Sequence, residues 1–134
     1  MKIGIPAEIR DYECRVAATP ETVKKMLALG CQVLVQQGAG ERASITDAAY
    51  QAVGAELVTA KEVYKADIIL KVRAPESSEI KAMQAGTVLI GLLEPFNQPQ
   101  LKAIACKPAT PAPNTNTREA FTVPAEVINI GIKR

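Results

Sequence analysis

Four short apolar runs constrain this chain more than any other feature: KIGI (2–5), VLV (33–35), IILKV (68–72) and TVLIGLL (87–93). A strand with one wet face alternates polar and apolar residues, whereas a strand covered on both sides is apolar throughout. The runs are of the second kind and predict a parallel sheet. The stretches between them carry helix punctuation. Thr19 can cap a helix with Pro20 at its first position and Gly30 at its end, and Val23, Met26 and Leu27 supply its apolar stripe. Thr46 precedes DAAYQAV, with Ile45 placed to pack on Tyr50. Thr59 and Glu62, flanked by Val58 and Val63, form a capping box with a hydrophobic staple; Asn97 and Gln100, flanked by Phe96 and Leu101, repeat the theme. SSEIKAMQ, from Ser77, predicts one more short helix.

Strand–helix alternation of this kind predicts an α/β, doubly wound, mostly parallel sheet with helices on both faces and right-handed crossovers, spanning residues 1–105. The stretch 106–120, CKPATPAPNTNTREA, reads as a linker or loop because of Pro108, Pro111 and Pro113. Residues 121–134 form a tail with a last strand expected around Val127 to Ile132, and Pro124 argues against a central strand before it.

The 134 residues fit one domain, and at 48% hydrophobic but only 4% aromatic the core must be aliphatic. A net charge of +2 with scattered basic residues does not point to nucleic acid. No run approaches the roughly 18 apolar residues of a membrane span, and the N-terminus lacks a secretory pattern. Cys14, Cys31 and Cys106 are odd in number and widely spaced. They suit a reducing cytoplasm better than a disulfide framework or a zinc site, so no metal is expected. Histidine is absent. That removes Ser-His-Asp and Cys-His nucleophile systems.

Ligands of an open α/β sheet sit beyond the C-terminal strand ends. The loop there at 6–18, PAEIRDYECRVAA, is long and carries Glu8, Arg10, Asp11, Glu13 and Arg15. Arg15 adjoins a helix N-terminus and can present two parallel donors to a carboxylate or phosphate; the alternative is a structural ion pair with Glu8 or Glu13. Lys71 lies inside an apolar run and must find an anion or snorkel to water, so it either meets a ligand carboxylate or carbonyl or bends over the sheet edge. Arg73 reads as solvent-facing. Glu94, after the fifth strand, is either a carboxylate in the same crevice or a loop charge.

Gly38-Ala39-Gly40 with Ala43 has the G-x-G-x-x-A form of a dinucleotide loop. That loop must open a helix directly, yet the next helix is expected near Thr46. The acid expected some 20 residues on is also misplaced: Glu56 opens a short strand and Glu62 lies on a helix. The glycines therefore read as a tight turn, and no cofactor-binding residue is assigned.

The segment MKIGIPAEIRDYECRVAATPETVKKMLALGCQVLVQQGAGERASITDAAYQAVGAELV, with ADIILKVRAP and GTVLIGLLEPFNQPQL in register after it, resembles the N-terminal domain shared by alanine dehydrogenases and the alpha subunits of proton-translocating NAD(P) transhydrogenases. The resemblance implies a discontinuous two-domain enzyme whose NAD binds a second, inserted domain, with NAD and NADP both used by the full transhydrogenase. It implies membrane subunits as partners, pairing into a dimer or other homo-oligomer, and a cytoplasmic place peripheral to the membrane. In the dehydrogenases the arginine of E-x-R-V-A and the lysine of L-K-V hold a pyruvate-like substrate; those positions here are Arg15 and Lys71, with Glu8, Glu13 and Glu94 as possible cleft residues. The dehydrogenases also place a catalytic histidine after the fifth strand, where this chain has Glu94, and RVAATP and KVRAP resemble the transhydrogenase pattern. The expectation is a transhydrogenase alpha-subunit domain that is not catalytic alone. The alternatives are a dehydrogenase-type domain binding a small oxo or amino acid, and a non-catalytic binding or assembly module.

Overall fold

The structure is a computed structural model that describes residues 1–93 in full and the backbone of 127–129. Glu94, the Asn97–Gln100 cap pair and the stretch 106–120 lie outside the described residues.

The apolar runs form strands where they were expected: β1 (Lys2–Ile5), β2 (Gln32–Gln36), β4 (Ile68–Arg73) and β5 (Val88–Leu92), with a short β3 (Glu56–Val58) and β6 (Val127–Asn129). The helices are α1 (Pro20–Ala28), α2 (Asp47–Ala52), α3 (Ala60–Val63) and α4 (Ser77–Ala82). The six strands lie in the order β3-β2-β1-β4-β5-β6, and every pairing is parallel.

Capping explains most helix starts. Thr19 accepts from the Thr22 N–H at the head of α1, with Pro20 behind it. Thr59 and Glu62 form the expected reciprocal box on α3. Thr46 precedes α2 as expected, although its side chain makes no cap bond. On α4 the cap is Glu76, which pairs with Glu79 in a second box.

Alternate strand residues point to opposite faces, and the core divides accordingly. Ile5, Val33 and Val35 pack with Val23 of α1 and Tyr50 of α2. Leu34, Ile69 and Leu89 pack with Val63 of α3 and Ile80 of α4. The chain thus winds from β1 toward β3 on one face and from β3 toward β5 on the other, as right-handed crossovers require when the direction along the sheet reverses. The reversal falls between β1 and β4, and this switch point is where an open α/β sheet parts to receive a ligand.

Candidate functional site

The long loop after β1 and the end of β4 meet at that switch point. Glu8, buried, accepts the Val72 N–H on Oε1 at 2.7 Å and so ties the loop to β4. A turn closed by the Glu13 N–H on the Arg10 carbonyl then reverses the chain, with Tyr12 at φ 63°. The turn brings the Glu13 carboxylate back against the protein. Its Oε1 accepts from the Arg15 backbone N–H at 3.0 Å and from Arg15 Nε at 2.8 Å; its Oε2 accepts from Arg15 Nη2 at 2.7 Å and from Arg73 Nε at 3.0 Å. The Arg15 side-chain bonds are the main cause that holds the Glu13 carboxyl down at about 2, against an opposing effect of burial and helped by the Arg15 N–H and Arg73. The ion-pair alternative for Arg15 is therefore realised with Glu13, yet its side chain remains 58% exposed. Arg73 departs from the solvent-facing expectation: it is half-buried and bound to Glu13.

Lys71 does not snorkel. Its side chain is 1% exposed, and Nζ lies 2.6 Å from Glu79 Oε1 and 3.4 Å from Glu8 Oε2. Glu79 Oε1 also accepts from the Tyr64 hydroxyl at 2.6 Å, and Oε2 accepts the Glu76 N–H at 2.7 Å. Burial pushes the Tyr64 hydroxyl far above its ordinary range, and the bond to Glu79 and the charges of Glu79 and Glu8 add to the effect. Two buried carboxylates thus serve one ammonium. Glu79 was not anticipated from the sequence. The available signal was the lysine itself, since a buried ammonium demands an anion.

On the other face of the sheet a cleft of about 520 Å³ opens beside the same strands. Leu70, Val72, Ile90 and Leu92 form its apolar floor, and Arg15 and Val16 close it from the loop. Lys71 is also in the wall, but its ammonium is turned to Glu79. Among the described residues, Arg15 is thus the cation this cleft offers. An apolar floor beside one guanidinium is suited to a small carboxylate: the floor takes the carbon skeleton and the fork takes two oxygens. Of the expected residues, Arg15 and Lys71 line this cleft, Glu13 binds Arg15, and Glu8 lies with the Lys71 ammonium on the opposite face; Glu94 is outside the described residues. Among the described residues no three His, Cys, Asp or Glu side chains gather to hold a metal ion.

The glycine loop serves a different end. Gly38 has φ 76°, a single 3₁₀ turn over Glu41–Ala43 follows, and α2 starts only at Asp47. The Gly38 N–H, a donor that a phosphate would use in a dinucleotide loop, points to Asp47 Oδ1 at 3.0 Å. A side chain at Gly40 would strike the Ile45 carbonyl at 2.7 Å and the Tyr50 ring at 2.9 Å, so this glycine answers a packing need.

Fold and cleft together define a doubly wound, parallel α/β domain with an apolar-floored cleft and a partly exposed guanidinium beside its switch point. The chain belongs to the family described as "Alanine dehydrogenase/PNT, N-terminal domain", which matches residues 4–111. It is similar to the NAD(P) transhydrogenase subunit alpha of Haemophilus influenzae, 43% identical over 101 residues that make up 75% of this chain and 20% of the relative. It is equally similar to an alanine dehydrogenase of Methanococcus maripaludis, 43% identical over 113 residues, 82% of this chain and 30% of the relative. Among solved structures, the transhydrogenase from Sinorhizobium meliloti superposes with a TM-score of 0.75 at 39% identity, covering 78% of this chain and 31% of that one. The chain thus spans less than a third of the length of these two relatives. Among the described residues no helix is long and apolar enough to cross a membrane.

Proposed function

We propose that this chain supplies the N-terminal domain of an NAD(P) transhydrogenase alpha subunit, in a complex that passes hydride between NADH and NADP. One observation carries the choice over a dehydrogenase: the chain has no histidine, and Glu94 stands where the resemblance puts the dehydrogenase's acid–base residue. The nucleotides bind a second domain, as the resemblance implies, while the Gly38 N–H of this one is engaged by Asp47. The domain sits at the membrane surface through partner subunits and pairs with its own copy. Hydride transfer belongs to the cofactors, and this domain frames the cleft in which they meet.

A second reading is favoured by the cleft itself. Arg15 beside an apolar floor suits a pyruvate-like acid, with Lys71 holding β4 and Glu8 in place behind it. An exchange of segments separates the two. Residues 4–111 replace the matching segment of the Haemophilus influenzae alpha subunit and, separately, of the Methanococcus maripaludis alanine dehydrogenase. The expected result is retained hydride transfer from NADH to an NADP analogue in the first chimera and loss of pyruvate amination in the second. The reverse pattern overturns the transhydrogenase reading, and two folded but inactive chimeras leave an assembly module.

A further inference from the structure

A guanidinium has two edges on which a carboxylate can bind through parallel N–H groups. Glu13 occupies one of them, taking Arg15 Nε at 2.8 Å and Nη2 at 2.7 Å. The other edge carries Nη1 and the second N–H of Nη2. Among the described residues no hydrogen bond from Nη1 is found, and the side chain is 58% exposed and lines the cleft. Glu13 is itself immobilised. It is 6% exposed, receives the Arg15 backbone N–H, and is bonded by Arg73 from the end of β4.

We infer that Glu13 is a positioning residue: it occupies one edge of Arg15 and thereby aims the opposite edge at a ligand carboxylate. The inference rests on the reading of the cleft as a small-carboxylate site. Without the clamp, Arg15 is a long, exposed side chain with four free torsions and must be ordered at the moment of binding. With the clamp that ordering is done in advance.

The sign of the effect distinguishes positioning from simple electrostatics. Glu13 is an anion beside an anion site, so removing its charge alone tightens the binding of an incoming carboxylate. Removing a positioning residue weakens it.

The test titrates the full chain with pyruvate at neutral pH, followed by NMR or calorimetry, for wild type, Glu13→Gln, Arg15→Lys and Arg15→Ala. Glu13→Gln is expected to weaken binding by up to about tenfold, the cost of ordering one long side chain on binding. The Arg15 Nε–H resonance, sharp in wild type, is expected to be averaged away in the same variant. Arg15→Lys keeps the charge but not the fork, and is expected to bind as poorly as Arg15→Ala. Folded Glu13→Gln that binds pyruvate as tightly as wild type, or tighter, overturns the inference. If Glu13→Gln fails to fold, wild-type affinity in Arg15→Lys overturns it instead. Absence of pyruvate binding by wild type, or binding unchanged in Arg15→Ala, overturns the carboxylate-site reading and this inference with it.

Discussion

Replacing Lys71 by methionine tests the buried charge cluster most directly. The substitution keeps the length of the stem and removes the ammonium. It leaves Glu8 and Glu79 in place, with side chains 2% and 5% exposed. Each carboxylate keeps some donors: Glu8 retains the Val72 N–H, and Glu79 retains the Tyr64 hydroxyl and the Glu76 N–H. Neither keeps a cation within the cluster. Breaking a buried pair by deleting one partner costs about 3–5 kcal/mol, and here two anions are stranded by one deletion, so the upper half of that range is expected. Against a typical domain stability of about 5–15 kcal/mol this is a large fraction. At roughly 3–5 °C per kcal/mol, between the values for smaller and larger domains, a loss of about 4 kcal/mol lowers Tm by at least about 12 °C. Urea unfolding followed by circular dichroism gives the free energy, with an unchanged m-value as the check on two-state behaviour. Lys61→Met, at an exposed position on α3, is the control and should stay within about 0.5 kcal/mol of wild type. The double variant Lys71→Met/Glu79→Gln should lose less than the two single losses added together, because the second change removes one of the stranded charges. A loss below about 1 kcal/mol for Lys71→Met would refute the reasoning, since it would mean that water reaches the cluster.

Two further outcomes follow from the geometry. Gly4→Ala places a Cβ 2.5 Å from the Val63 carbonyl oxygen and 2.8 Å from Ile69 Cδ1, so β1 and α3 must separate; a loss of about 1–3 kcal/mol in urea unfolding is expected, and a neutral result would mean that α3 floats on the sheet. Glu13, held down at about 2 chiefly by Arg15, contributes stability that is complete above the ordinary carboxyl range and disappears as pH falls from there through about 2. Its guanidinium partners are partly exposed, which limits that contribution to about 1 kcal/mol, and a Glu13→Gln pH–stability profile as steep as wild type's across that window would disprove it.

The elements were legible because each depends on a few neighbouring residues. An apolar run too short for a helix becomes a strand, and Thr59 with Glu62 starts α3 by bonds that span three residues. The site was legible only in part, since its charges are paired across the fold. That Lys71 needs an anion follows from its apolar neighbours, but Glu79 supplies it only because the crossover after β4 lays α4 against that face of the sheet. Arg73 shows the same limit. Regular alternation places residues 71 and 73 on one face. The β4–β5 register, however, runs from Leu70 opposite Ile90 to Arg73 opposite Leu92, three residues against two. This irregularity returns Arg73 to the face of Leu70 and the cleft, where Glu13 can reach it.

A division of labour within the β1–α1 loop follows. Its two buried acids go to opposite sides of β4: Glu8 toward Lys71 and α4, Glu13 toward Arg15, Arg73 and the cleft. On the first side the cation is enclosed and outnumbered by carboxylates, an arrangement that fixes structure. On the second, Arg15 and Arg73 both bind the Glu13 carboxylate, and the Arg15 guanidinium stays partly exposed in the cleft wall. The same strand end is therefore anchored on one side and, in the proposed carboxylate site, faces the ligand on the other. The one-residue shift in β4 is what separates those two roles.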